Sequence, residues 1–139
     1  MIYKYNIKRY GKIILILMFL GLESVRSENM NNIEDVSMIA LIANPNKFNG
    51  QKIRLIGYLY LNFEVQAFFL SKNDYENSIM KNALWLSFER KKLAEYKKGN
   101  NKYVLIEGVF NSKEKGHFGM YSGTIESINR LQVRRNFKK

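Results

Sequence analysis

From Lys52 onward the chain alternates, and this stretch limits the fold more than any other. In "KIRLIGYLYLNFE", Ile53, Leu55, Gly57, Leu59 and Leu61 fall on one face, and Arg54, Ile56, Tyr58 and Tyr60 fall on the other. Both faces are partly apolar, so the spacing predicts a long strand that is covered on both sides somewhere along its length. Gly57 at its middle predicts a bend or bulge. A small barrel needs such a strand, because one long bent strand must pair in both halves of the closed sheet.

The flanking segments fill in the order. "NIEDVSMIALIANP" reads as a helix, with Asn32 as cap, Asp35 in the first turn and Val36, Ile39, Ala40 and Ala43 as its apolar stripe. Pro45, the only proline, ends it, and Asn49-Gly50 turns the chain into the long strand. A short connection, residues 62–66, leads to a second strand in "QAFFLS", followed by a polar insertion from Lys72 to Asn82 and a third strand in "ALWLSF". "ERKKLAEYKKGNN" is amphipathic for about two turns through Leu93 and Tyr96, and Gly99 with Asn100 stops it. "KYVLIEGVF" is a fourth strand with its own central glycine, Gly108; "NSKEKGHFG" is a loop, and "MYSGTIESINRLQV" is a fifth strand. The fold class expected is mainly β with short helices: a five-stranded OB-fold barrel preceded by one helix, with a further helix between the third and fourth strands.

These residues also resemble a known group. "LIANPNKFNGQKIRLIGYLYLNFE", "NALWLSF" and "NKYVLIEGVFNSKEKGHFGMYSGTIESINRL" look like the small bacterial proteins of the anticodon-binding-like (tRNA_anti-like) OB-fold families. There a short helix, an N-P-x-x-[FY]-x-G-[KQ] turn and a V-x-[VI]-x-G strand lead into the barrel. The resemblance covers about residues 35–131 and implies the fold. It implies no activity, because the family name comes from tRNA-binding relatives, whereas this chain carries an export signal and no synthetase partner domain is read in it.

That signal is read at the N-terminus. "MIYKYNIKRYGK" carries Lys4, Lys8, Arg9 and Lys12, and "IILILMFLGL" follows from Ile13 to Leu22 without a charge. A basic segment ahead of roughly ten apolar residues is the order of a secretory signal, whereas a spanning helix needs about 20. Val25 and Ser27 supply small residues at −3 and −1, so residues 1–27 are read as a signal peptide, residues 28–32 as a polar leader, 33–131 as the OB-fold domain and 132–139 as a basic tail. The expected address is exported, periplasmic or secreted, with an uncleaved N-terminal anchor as the alternative. With no cysteine, neither lipid attachment at a cleavage-site cysteine nor disulfides are open to the chain. A composition 46% hydrophobic and 14% aromatic allows a core to do that work instead.

Residues 1–27 hold five basic residues and one acid, so without them the +11 of the chain falls to about +7. The surplus lies in "ERKKLAEYKK" and in the tail through Arg130, Arg134, Arg135, Lys138 and Lys139. It is either solvated surface or attraction to a polyanion.

His117, the only histidine, belongs to the residue type best suited to acid–base work at neutral pH. Ser122, His117 and Glu107 have the residue types of a hydrolytic triad, but a serine five residues beyond the histidine and inside a predicted strand is no nucleophile elbow. Glu107 is expected to pair with Arg54 or Lys102, or to contact His117 and fix its loop. Gly116 and Gly119 read as loop geometry ahead of the fifth strand. In an OB-fold this loop forms one wall of the ligand groove, which places His117 at its lip. The groove is expected on the second and third strands, with Arg54, Tyr58, Tyr60, Phe69, Trp85 and His117 as ligand-binding residues; aromatics interleaved with basic residues there stack bases or sugars. The expectation is a monomeric, non-catalytic binding module without cofactor or metal. The alternatives are a binder of single-stranded nucleic acid or another polyanion, and an immunity- or inhibitor-type partner of a second protein that uses the insertion or the tail.

Overall fold

A computed structural model describes residues 32–134. Residues 1–27, read above as a signal peptide, residues 28–31 of the expected leader and residues 135–139 of the expected tail lie outside the described residues.

The element order is β1 (Glu34–Asp35), α1 (Met38–Ala43), α2 (Pro45–Phe48), β2 (Lys52–Leu61), β3 (Gln66–Phe69), α3 (Lys72–Glu76), β4 (Ala83–Leu86), α4 (Leu93–Tyr96), β5 (Lys102–Asn111) and β6 (Thr124–Val133). The sheet runs β1-β2-β3-β4-β6-β5, and a further β2–β5 pairing closes it. Five strands thus form a barrel, and β1 is an extra short strand on β2. The pairings are antiparallel apart from β4–β6 and β1–β2, which are parallel. A closed five-stranded barrel with helical turns between β4 and β5 is an OB-fold-like barrel, as the alternation and element order predict.

Both mid-strand glycines lie where the sheet has no room for a side chain. A Cβ on Gly57 would stand 2.6 Å from the Phe69 carbonyl oxygen, and one on Gly108 would stand 2.7 Å from that of Glu126. β2 is thereby able to pair with β5 along Lys52–Leu59 and with β3 from Tyr58 to Leu61. At Gly108 the β5–β6 register shifts between Glu107 and Val109, a bulge that turns the strand around the barrel.

The inner faces supply the core. Ile53, Leu55, Leu59 and Leu61 meet Phe68, Leu84, Leu86, Val104, Ile106, Phe110 and Ile125, all buried. Met38, Leu41 and Phe48 join them from α1 and α2, and Tyr96 joins from α4 with its hydroxyl donating to the Ile128 carbonyl at 3.2 Å. Each such side chain contributes about 1.5–3 kcal/mol when fully buried.

The first helix differs from the sequence reading. Glu34 and Asp35 lie beside Ile53 and Arg54 as a parallel strand, and the Val36 amide donates to the Arg54 carbonyl at 3.0 Å. The exposed edge of β2 captures these residues before a helix begins. The helix starts at Met38, capped by the Ser37 hydroxyl, which accepts from the Ala40 amide at 3.1 Å. Its buried residues are Met38 and Leu41, whereas Ile39 is 65% exposed and Ala43 is exposed. Pro45 does end α1, but it also opens α2 at the position where its missing amide costs nothing. The predicted two-turn helix over residues 89–101 is broken into 3₁₀ turns on either side of α4, and the fifth strand begins at Thr124, not Met120.

Candidate functional site

The outer face of β2, β3 and β4 carries a second apolar cluster, built on Tyr58, Ala67, Phe69, Ala83 and Tyr121. Register places the strand residues of this cluster in two rows across the strands. Tyr103, Tyr58, Phe69 and Ala83 lie side by side, and Tyr60, Ala67, Trp85 and Thr124 form the next row. Side chains on one strand face alternate, so each row is a continuous strip of outward-pointing groups.

The insertion covers the first row. The Tyr75 ring of α3 lies 5.6 Å from Tyr58, 4.5 Å from Tyr60 and 5.5 Å from Phe69, between ring centroids. α3 is fixed there by a polar clasp. The Ser71 hydroxyl accepts from the Asp74 amide at 3.1 Å and donates to the Asp74 carboxylate, which also accepts from the Asn82 side-chain amide at 2.6 Å. Hydrogen bonds from Ser71 and then Asn82 hold the Asp74 carboxyl below its ordinary range. Tyr58 and Phe69 are buried under this roof, so a ligand on the face meets Tyr75 and not those two rings.

The second row reaches the surface. Trp85 is half-buried, with Tyr121 beneath at 5.3 Å and the His117 ring stacked beside it at 6.4 Å and 22°. Next to His117, at 4.0 Å, is Phe118, which is 84% exposed. The loop reaches Trp85 through Gly116, whose φ is +63° and whose added Cβ would fall 2.5 Å from the Trp85 Cβ. Phe118 itself has φ +55°, a region that bulky side chains avoid. The loop is tied down by its neighbours: Lys115 Nζ donates to the Ser122 carbonyl at 2.8 Å, and the Tyr121 amide donates to the Lys115 carbonyl at 3.1 Å. At the other end of the face, the β2–β3 connection holds Phe63 77% exposed, with the Arg90 guanidinium 5.1 Å from its ring.

Of the six residues read from the sequence, Trp85 and His117 come together at the accessible part of the face, and Tyr60 lies in the same row across Ala67, with the Tyr75 ring 4.5 Å from its own. Tyr58 and Phe69 lie on the same face beneath Tyr75. Arg54 stands apart, between Asp35 and Glu107. Its Nε donates to Glu107 Oε1 at 2.7 Å and its Nη1 to Asp35 Oδ2 at 3.3 Å, while Arg130 Nη1 donates to the same Glu107 oxygen at 2.9 Å. The Arg54 hydrogen bond, against the cost of burial, holds the Glu107 carboxyl below its ordinary value. Glu107 thus pairs with Arg54 as expected, and the expected contact with His117 is not made, because Glu107 points from mid-β5 into this arginine pair. The residues considered for a triad are spread out: Ser122 Oγ donates to the Lys81 carbonyl at 2.6 Å, and His117 lies between Trp85 and Phe118.

The sequence reading missed Phe63, Phe118 and Tyr75. Phe63 and Phe118 carried a signal: an aromatic in a turn segment, outside any alternating run, has no core position waiting for it. Tyr75 carried none, since a lone tyrosine in a polar insertion reads as surface.

The barrel and its aromatic outer face define the class, an OB-fold-like barrel with an exposed aromatic face between the β2–β3 and β5–β6 loops. Beyond that class, no protein-family model matches the chain, and comparison with curated proteins gives no match.

Proposed function

We propose that the protein is an exported, non-catalytic binding module that takes a ring-bearing ligand on the β3–β4 face. The observation that carries this reading is Phe118: a solvent-exposed phenylalanine held at positive φ beside the stacked His117 and Trp85. Such backbone strain costs roughly 1–3 kcal/mol and is concentrated at sites where geometry serves binding. Trp85, His117 and Phe118 form a platform for stacking, worth about 1–3 kcal/mol per ring of the ligand, and Tyr60 extends the same row across Ala67. The basic-then-apolar N-terminus supports export. The turn through Pro45, Phe48 and Gly50 into β2 supports kinship with the anticodon-binding-like families as part of the same proposal.

A second reading, a single-stranded nucleic acid or other polyanion as the ligand, is favoured by Lys81, Lys113 and Lys115 around the β5–β6 loop and by Arg90 over Phe63. The immunity-type reading has less support through the insertion, which is occupied in covering Tyr58 and Phe69, and the tail it could use instead lies largely outside the described residues.

Trp85 is the only tryptophan, so its emission reports directly on the face. Titration of the full chain with an oligothymidylate of about eight nucleotides, a length one such barrel spans, and with a neutral chito-oligosaccharide separates the two ligand types. Saturable change with either supports the module, and loss of the oligothymidylate response with added salt marks the polyanion reading. A Trp85 emission indifferent to both at low salt sinks the assignment of this face.

A further inference from the structure

Between β1 and β3 one edge of β2 is open. β1 pairs with it at Ile53 and Arg54, and β3 joins only from Tyr58. The even-numbered residues of β2 turn their peptide groups to this edge: the Arg54 carbonyl accepts from Val36 there, whereas the Leu59 carbonyl, on the opposite edge, accepts from Asn101. The Ile56 peptide therefore faces the opening, and its side chain is 46% exposed beside it. A pocket of about 640 Å³ occupies this position, within the roughly 300–1,000 Å³ typical of small-molecule sites.

The pocket is divided by chemistry. Ile39, Ile56, Leu70 and Leu105 give it apolar walls, and Arg54 and Arg134 stand on its lining with Asp35 as the single carboxylate there. Arg54 uses Nε on Glu107 and Nη1 on Asp35. A guanidinium has five N–H donors, and among the described residues Nη2 of Arg54 has no acceptor. Among the described residues Arg134 makes no ion pair either. Arg54 is already paired with Asp35 and Glu107, so the positive charge left over at the edge of the apolar pocket is that of Arg134, beside the unused Nη2 of Arg54.

We propose that this pocket binds an aliphatic chain ending in one carboxylate, with the chain against Ile39, Ile56, Leu70 and Leu105 and the head group on Arg134 and Nη2 of Arg54. The site is separate from the aromatic face and does not depend on its ligand. Carboxylate–guanidinium pairing supplies orientation, and the apolar walls supply most of the affinity.

The test uses decanoate with the full chain, followed by calorimetry and by backbone amide shifts, and decylammonium as the charge-reversed control. The expected result is saturable one-to-one binding with shifts at Val36, Ile56, Leu70 and Leu105, at least about tenfold weaker in Arg134→Glu, and weakened in Ile39→Asp. Both positions are exposed, and a thermal melt of each variant checks its fold; if one fails to fold, the other decides. The proposal is overturned by non-saturable binding, by shifts centred on Trp85 and His117, by equal affinity for decylammonium, or by variants that bind as the parent does.

Discussion

Single residues carry the two most unusual features of this protein, a strained phenylalanine and a shared glutamate. Phe118 is 84% exposed, so little packing is lost when it is removed, and its positive φ costs a non-glycine residue roughly 1–2 kcal/mol. Phe118→Gly is therefore expected to leave the urea midpoint unchanged or to raise stability by up to about 1 kcal/mol, while the Trp85 response to ring-bearing ligands falls. A clear loss of stability would mean that the ring packs in a way its exposure denies. Glu107 lies on the opposite side of the ledger. Its folded-state carboxyl titrates below the ordinary 4.5 because Arg54 and Arg130 donate to it. A depressed carboxyl stabilises the fold above its unfolded value and loses that contribution as pH falls through the folded value. Asp74 has the same sign. Glu107→Gln is expected to lower stability at pH 7 by about 1–3 kcal/mol and to flatten the loss as pH falls below the ordinary carboxyl value, read by denaturant unfolding across pH.

At the scale of elements, α3 decides what the aromatic face presents. Tyr75 covers Tyr58 and Phe69, and the clasp of Ser71, Asp74 and Asn82 keeps it in place. Tyr75→Ala is expected to cost about 2–4 kcal/mol, with a lowered urea midpoint and an unchanged slope, and to uncover two buried rings. Asn82→Ala, which removes one hydrogen bond to a buried carboxylate, is expected to cost about 1–3 kcal/mol and to act non-additively with Tyr75→Ala, because both loosen one element.

The elements also show how much of the fold and site was legible. The strands were readable because period-two alternation survives in Ile53 to Leu61 and in "ALWLSF", and the two central glycines marked the bend and the bulge. β1 was not readable: Glu34 and Asp35 have the composition of a helix N-terminus, and only the open edge of β2 makes them a strand. The phase of α1 shifted for the same reason, from Val36 and Ile39 to Met38 and Leu41. At the candidate site, strand alternation and the glycine loop made legible that Trp85 and His117 lie near each other on the outer face. The burial of Tyr58 and Phe69 was hidden, because it depends on a tyrosine six residues past Phe69 folding back over the sheet.

At the scale of the molecule, barrel closure joins the two ends of the described chain. β5 pairs with both β2 and β6, so the long bent strand and the last strand share one partner. Gly57→Ala and Gly108→Ala, which force a Cβ against backbone oxygens at 2.6 and 2.7 Å, are each expected to cost more than Gly50→Ala, where open space leaves only the φ of +77° to oppose it. Thermal melts of the three variants give that order directly, and a reversed order would place the bends elsewhere.

The central claim is that this barrel binds through the face between its β2–β3 and β5–β6 loops, and backbone amide shifts of the full chain during an oligothymidylate or chito-oligosaccharide titration at low salt test it most directly. The account predicts saturable shifts concentrated in residues 60–67, 83–86 and 115–121. Shifts concentrated instead in the basic turns of residues 90–102, or no shifts with either ligand, would contradict it.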